Sequence, residues 1–330
     1  MIKQLDSKAL NFLICPDDRY RLEMKGNHLV CSNCGIVFPV SENGIPMLYG
    51  KRTQDLLLKG VMAGTLEEQV VEANRNFHDD DAYKYDERHG GDSFSSSSQE
   101  RLVHNLERLK ISNSPLNQLL DIGCGTGNIL KNAQAALKVG IDISPKSLDK
   151  AKAYTPHVFA GDVSTLPFAD NSFEAVTAFS VLHHVFNLEK LLTEVHRVLI
   201  PGGRFYSDWD PNRRSGALRR LRGKVLSLPV ARDLKRAVKR IISPNLESVA
   251  EKHPGSERCE YELANYHEDV SSHKEFNPQA LKRLLKNAGF KNIEIYVFDH
   301  RPKDGVFKRH QSNWLNDLLY KRFMTFSVRE

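Results

Sequence analysis

The chain has 330 residues, of which 40% are hydrophobic and 27% are charged, an ordinary balance for a folded globular protein. No apolar run approaches the ~20 residues that a membrane-spanning helix needs, and the N-terminus lacks the apolar core of a signal peptide. Five cysteines, an odd number, do not indicate a disulfide framework. We therefore expect a cytoplasmic protein, and the composition excludes a disulfide-stapled secreted one.

The formal net charge of +6 is unevenly distributed. Between Arg213 and Arg240 the chain carries eleven Lys or Arg against one acidic residue, Asp233, a local net charge of +10. The rest of the chain is therefore net acidic, which excludes a uniformly basic protein that coats nucleic acid. The basic segment fits an anionic substrate, an anionic membrane surface or RNA phosphates, and a solvated cap is the alternative.

Residues 1–50 predict a small β-rich knuckle, because short apolar segments alternate with turn residues. A structural zinc needs four ligands in tetrahedral geometry. Cys15, Cys31 and Cys34 supply three, and Asp18 or His28 could supply the fourth. The pattern resembles the zinc-ribbon-like activator subunit of tRNA and protein methyltransferases, in which a second cysteine stands at the position of Asp18. The knuckle is thus either a zinc site with an unusual fourth ligand or a degenerate one without metal.

Residues 51–112 predict a helical linker. Apolar residues recur every three or four positions in 66–77 and again in 102–109, the spacing of amphipathic helices. Polar sequence rich in Gly and Ser separates the two segments.

The most informative motif follows in residues 119–128, where an apolar strand meets a helix through a glycine-rich turn. Gly123, Gly125 and Gly127 let the backbone approach a ligand closely, where any Cβ would collide. Asp121 stands two positions before the first glycine, and a second short strand ends in Asp142. A carboxylate at the position of Asp142 can accept hydrogen bonds from both hydroxyls of a ribose.

The order and spacing of these pieces resemble the class I S-adenosylmethionine-dependent methyltransferases from Leu119 to about Asp210. The resemblance implies that a third strand, ending in Asp162, meets the adenine, and that a lid carrying Tyr85 covers the methionine end. The residues it implies for the cofactor are Tyr85, Asp121, Gly123, Cys124, Gly125, Gly127, Asp142, Ile143, Asp162, Val163 and Phe179.

The predicted fold is a doubly wound, Rossmann-like α/β sheet of seven strands with the N-terminal knuckle and a helical cap. The predicted domains are the knuckle at 1–50, the helical linker and lid at 51–112, and the methyltransferase domain at 113–330. Two basic amphipathic helices are expected in an insertion at about 212–277.

Three residues are candidates for catalysis. His183 follows the fourth strand and has a side chain that titrates near working pH, whereas Asp210 follows the fifth strand. His273, late in the insertion, lies in a segment that resembles the substrate-covering part of small-molecule O-methyltransferases. Each has a structural alternative. His183 could simply open the following helix, Asp210 could be a polar residue at a strand end, and His273 could lie on a solvated loop.

The sequence therefore predicts an S-adenosylmethionine-dependent methyltransferase that acts on a small metabolite, such as a lipid-linked or sugar intermediate. An RNA methyltransferase is the first alternative, and a non-catalytic scaffold or activator is the second. We expect no obligate protein partner, and membrane contact through the basic insertion is favoured over nucleic acid, because that segment lacks interleaved aromatic residues.

Overall fold

The computed structural model describes residues 10–88, 93–112, 114–212, 277–298, 309–312 and 322–330. Within them the N-terminal domain contains an antiparallel sheet of three strands, in the order β1-β2-β3. These strands are β1 (Leu22–Lys25), β2 (His28–Cys31) and β3 (Val37–Phe38). The β-rich knuckle predicted from the sequence is therefore present.

The main sheet has eight strands in the described residues, in the order β10-β9-β11-β8-β7-β4-β5-β6. Strands β4 to β8 run parallel, and β11 lies antiparallel between β8 and β9. The bounds are β4 (Leu116–Ile122), β5 (Ala135–Asp142), β6 (Val158–Ala160), β7 (Phe173–Phe179), β8 (Leu199–Pro211), β9 (Phe290–Phe298), β10 (Arg309–Gln311) and β11 (Arg322–Arg329).

The predicted α/β class is confirmed. The sheet differs from the prediction by one strand, β10, which pairs antiparallel with β9 at the edge. Its sequence, Arg309 to Gln311, is short and polar and carries no strand signal, so pairing with β9 defines it.

Helices lie between the strands and ahead of the main sheet. The bounds are α1 (Lys51–Lys59), α2 (Leu66–Asp81), α3 (Tyr85–Arg88), α4 (Ser96–Glu107), α5 (Asn128–Asn132), α6 (Pro145–Ala151), α7 (Leu188–Val198) and α8 (Pro278–Asn287), with a 3-10 turn at Leu182–His184. In the described part of the chain, no helix is long and apolar enough to cross a bilayer. The basic insertion predicted at about 212–277, with its two helices, falls almost entirely outside the described residues.

Local capping explains where the two helices nearest the site begin. Helix α2 starts with a capping box, in which the Thr65 hydroxyl accepts from the Glu68 N–H and the Glu68 carboxylate accepts from the Thr65 N–H. Helix α6 starts at Pro145, with the Ser144 hydroxyl accepting from the Ser147 N–H. Both starts are local sequence signals.

The N-terminal domain extends the edge of the main sheet. Met47 forms a parallel bridge with Ala160 of β6. The Ala160 N–H donates to the Pro46 carbonyl, and the Ala160 carbonyl accepts from the Leu48 N–H. The two domains also share one apolar core, in which Phe12 packs against Phe168. Backbone pairing and a shared core therefore fix the N-terminal domain beside β5 and β6.

One further contact reaches past the edge strand. Tyr49 is fully buried, and its hydroxyl donates to the Ile143 carbonyl at 2.8 Å. Burial raises the pKa of Tyr49 well above its usual range, so this hydroxyl keeps its proton at neutral pH. The N-terminal domain therefore supports the backbone that follows β5.

Candidate functional site

An open cleft lies at the carboxyl ends of β4, β5 and β7. This is where an open parallel sheet places its ligand sites. Helix α2 forms the wall opposite the sheet, through Val70, Asn74 and His78. Ten residues predicted for a cofactor line the cleft: Tyr85, Asp121, Gly123, Cys124, Gly125, Asp142, Ile143, Asp162, Val163 and Phe179.

Two glycines of the turn have different structural roles. Gly123 has a φ of 61°, and a Cβ there would lie 2.4 Å from a Val181 methyl carbon, so only glycine allows this turn to pack against Val181 in the cleft wall. Gly127, the remaining predicted residue, does not line the cleft. It has a φ of 95° at the start of α5, and its Cβ would lie 2.7 Å from the Tyr154 ring. The geometry therefore gives Gly127 a packing role.

Asp142 joins two backbone loops. One carboxylate oxygen accepts from the Gly125 N–H at 2.8 Å, and the other accepts from the Ser144 N–H at 2.9 Å. Burial raises the pKa of Asp142, while nearby His78 and the two N–H donors oppose that rise. The carboxylate thus organises the turn after β4 and the turn after β5 around one point.

Asp121 lies at the floor of the cleft and is almost fully buried. Its carboxylate accepts from the Thr177 hydroxyl of β7 at 2.7 Å. Burial raises its pKa well above the usual range, and the hydrogen bond from Thr177 lowers it. Asp162 accepts from the Ser164 N–H at 2.8 Å, which orders the third loop of the cleft.

Strained backbone occurs at the end of β7. Ser180, which lines the cleft, has a φ of 59°, and Trp209 on neighbouring β8 has a φ of 69°. The Trp209 ring stacks on Phe179 with centroids 5.9 Å apart and planes inclined by 17°. Such conformations in residues other than glycine cost energy and cluster at functional sites. The positive φ angles of Ser180 and Trp209 therefore make this end of the cleft a candidate for ligand contact.

Two of the three catalytic candidates pair with each other. The Nδ1 atom of His183 lies 3.0 Å from the Asp210 Oδ1, and both side chains are buried behind the cleft wall. Burial raises the pKa of Asp210 well above its usual range. The next residue, His184, lines the cleft instead. His273 lies outside the described residues.

Several cleft residues were not predicted from the sequence. Asn74, His78 and His184 line the cleft, and the rings of His78 and His184 meet edge to face at 5.0 Å. Thr126 also lines it, and its hydroxyl donates to the Asp86 carboxylate at 2.6 Å. Of these four residues, only Thr126 lies in a sequence motif, the glycine-rich turn of residues 119–128.

The N-terminal domain holds a second candidate site. One ligand atom from each of Cys15, Asp18, Cys31 and Cys34 can be chosen so that all lie within 4.8 Å of one another. The Cys15 and Cys34 sulfurs are 3.8 Å apart, and the Cys31 sulfur is 3.3 Å from an Asp18 oxygen. These separations match the edges of a tetrahedron around zinc, for bonds of ~2.3 Å to sulfur and ~2.0 Å to oxygen. The geometry therefore fits zinc and favours Asp18, since His28 is not in the cluster.

The family comparisons agree with this two-part architecture. Residues 120–207 match the family model described as a methyltransferase domain. The chain carries a methyltransferase domain. Residues 6–43 match the model of Trm112p-like proteins, so the N-terminal domain is a Trm112p-like domain. The match to the methyltransferase domain includes the turn after β4, Asp142 and the strands up to β8. The match to Trm112p-like proteins includes all four residues of the metal cluster.

Individual relatives match a little over a quarter of the chain. A demethylmenaquinone methyltransferase of Symbiobacterium thermophilum is 36% identical over 104 residues, which cover 28% of this chain and 41% of the relative. A ubiquinone/menaquinone biosynthesis C-methyltransferase of Desulfotalea psychrophila is 41% identical over 99 residues, covering 26% and 39%. The chain thus spans about two fifths of the length of these curated relatives.

A solved structure extends the likeness in fold. The S-adenosylmethionine-dependent methyltransferase of Thermotoga maritima, described as a possible histamine N-methyltransferase, superposes with a TM-score of 0.51. It is 14% identical and covers 79% of this chain and 100% of its own. At this identity the likeness concerns the fold alone.

Proposed function

We propose that the protein is an S-adenosylmethionine-dependent methyltransferase that acts on a small acceptor with an apolar body. The observation that carries the proposal is the cleft, in which Asp121 and Asp142 lie beside the glycine turn of a methyltransferase domain. A Cβ at Gly125 would meet nothing within 4 Å, and this open space beside the backbone supports a ligand held against the glycine turn. This would make the chain an enzyme rather than a non-catalytic scaffold.

Named residues would hold each part of the cofactor. The Asp142 carboxylate would accept hydrogen bonds from the ribose hydroxyls, because hydrogen bonds to a charged acceptor are strong. Asp162 and Val163 would contact the adenine, and the turn containing Gly123 and Gly125 would contact the amino-acid end. When bound, S-adenosylmethionine supplies an electrophilic methyl group on a sulfonium.

The cleft wall indicates the kind of acceptor. Apart from the residues assigned to the cofactor, the lining includes the apolar side chains Val70, Val71, Phe94, Val185 and Phe186. Apolar walls with few polar groups bind largely apolar molecules. The two relatives named for quinone methylation support the same class of acceptor. Among the predicted metabolites, the lipid-linked class therefore fits better than a free sugar.

The buried pair of His183 and Asp210 would act indirectly. Neither side chain lines the cleft, whereas His184 does. A general base must come within hydrogen-bond reach of the proton it takes, directly or through one water. We therefore assign the pair to fixing the 3-10 turn that presents His184, and His184 becomes the candidate for contact with the acceptor.

We also propose that Cys15, Asp18, Cys31 and Cys34 hold a structural zinc ion. The ion would cross-link the segment before β1 to the turn after β2. A domain this small has a limited core of its own, so such a cross-link would stabilise it strongly.

RNA is the second candidate acceptor. A relative named a probable tRNA methyltransferase 9B, from Bos taurus, is 34% identical over 92 residues, which cover 27% of this chain and 20% of the relative. The Trm112p-like domain and the net charge of +10 between Arg213 and Arg240 favour this alternative.

A labelling experiment distinguishes the two acceptors. The protein is incubated with methyl-labelled S-adenosylmethionine and either a lipid extract or total RNA from its source. We expect label in the lipid extract with the wild-type protein, and far less with the Asp142→Asn variant at the same cofactor concentration. Label confined to RNA would overturn the small-molecule proposal.

A further inference from the structure

The wall of the cleft opposite the sheet is fastened by side chains to three separate loops. This wall, here called the clamp segment, comprises residues 66–88 and contains α2 and α3. Asp86 accepts from the Thr126 hydroxyl in the turn after β4, at 2.6 Å. Asp79 accepts from the Ser144 hydroxyl after β5, also at 2.6 Å. Asn74 donates to the His184 carbonyl after β7, at 3.0 Å.

Each of the two acidic contacts is reinforced by a cation. Asp79 lies 3.5 Å from Arg75 on the preceding turn of α2, and its side chain is 14% exposed. Asp86 lies 3.5 Å from Lys150 of α6, and its side chain is 43% exposed. Hydrogen bonds to a carboxylate are stronger than those between neutral groups, and burial increases their strength. The contact through Asp79 should therefore be the stronger of the two.

All three contacted loops contribute to the cleft, which is also lined by the loop at Asp162. They include the glycine turn and the residue pair Ile143 and Ser144, which follows Asp142. The clamp segment adds its own lining residues, Val70, His78 and Tyr85. A molecule in the cleft thus lies between the clamp segment and the sheet, and the three contacts hold these two walls together.

We propose that Asp79 and Asp86 are positioning residues, which fasten the clamp segment over the bound cofactor and limit the rate at which the cofactor leaves. The proposal rests on the proposed function, because it places the cofactor in this cleft. Neither carboxylate lines the cleft. Both act through Ser144 and Thr126, which they hold against the clamp segment.

The dissociation rate of S-adenosylhomocysteine tests this proposal, because it reports escape from the cleft without requiring turnover. Surface plasmon resonance on the immobilised full chain would measure it for wild type, Asp86→Ala, Asp79→Ala and Thr126→Val. We expect dissociation about fivefold faster for Asp86→Ala and about tenfold faster for Asp79→Ala, as for the loss of one charge-assisted hydrogen bond. The thermal unfolding midpoint should change little.

The chain offers a matched control and an internal test of coupling. Glu87 is an exposed acidic residue next to Asp86, so Glu87→Gln should dissociate at the wild-type rate. Thr126→Val keeps the side-chain shape and removes only the hydroxyl. Combined with Asp86→Ala, it should add little further effect, because both variants remove the same hydrogen bond.

Two negative results have different meanings. If the wild-type protein does not bind S-adenosylhomocysteine, the proposed function fails. If the wild type binds it, and Asp86→Ala, Asp79→Ala and Thr126→Val all dissociate at the wild-type rate, the clamp proposal alone is overturned. Should Asp86→Ala fail to fold, Thr126→Val still tests the same hydrogen bond.

Discussion

Asp142→Asn is expected to weaken S-adenosylmethionine binding about 100-fold, as for the loss of two charge-assisted hydrogen bonds. The carboxylate accepts one N–H from Gly125 and one from Ser144, so it also holds two loops in register. An amide has the same shape but only one acceptor oxygen, and its NH₂ would face an N–H donor. The substitution therefore disturbs both the ribose site and the loops.

Calorimetry would measure this loss of affinity. Glu189→Gln, an exposed acidic residue in the first turn of α7, serves as a control for the change in charge and should bind as the wild type does. An Asp142→Asn variant that folds and binds with unchanged affinity would remove Asp142 from the cofactor site.

Removal of zinc is expected to destabilise the Trm112p-like domain by at least several kcal/mol, because a structural zinc site contributes its binding free energy to folding. The purified protein should contain one zinc ion per chain by elemental analysis. Chelation should lower the unfolding midpoint. It should also loosen the edge of the main sheet, since Pro46 and Leu48 pair with Ala160 of β6.

Two variants identify the fourth ligand. Asp18→Ala should lose the metal, because Asp18 lies within the cluster of three thiols. His28→Ala should keep it, since His28 lies outside that cluster on an exposed strand position. Full zinc content in Asp18→Ala would contradict the assignment.

Much of the cofactor side of the cleft could be predicted from the sequence, because its signals are local. The glycine turn, Asp121 and Asp142 lie at the ends of short apolar strands, and parallel strands bring such ends to one edge of a sheet. The Ser144 N-cap and Pro145 at the start of α6 are also local signals. The resemblance to class I methyltransferases implied the full set of cofactor residues, of which ten line the cleft.

The other wall could not be predicted, because its contacts join residues far apart in the chain. Asp86 and Thr126 are 40 positions apart, and Asn74 and His184 are 110 apart. Nothing in an acidic helical segment indicates which carboxylate will meet a distant hydroxyl. The sequence also could not show whether His183 or its neighbour His184 faces the cleft, because the 3-10 turn decides the orientation of the two rings.

The predictions for His273, the helices at 212–277 and the role of the basic segment fall largely outside the described residues and stay predictions. The division into three domains and the absence of an obligate partner also stay predictions. The Trm112p-like domain already lies against the methyltransferase domain of the same chain, through the Tyr49 hydroxyl and the strand pairing at Ala160.

Calorimetric titration of the wild-type protein with S-adenosylhomocysteine, beside a parallel titration with NAD, tests the central claim most directly. The two ligands share an adenosine and differ in what is attached to it, so the comparison reports the amino-acid end of the site. We predict one saturable site per chain for S-adenosylhomocysteine and weak or undetectable binding of NAD. No binding of S-adenosylhomocysteine, or tighter binding of NAD, would contradict a methyltransferase function for this cleft.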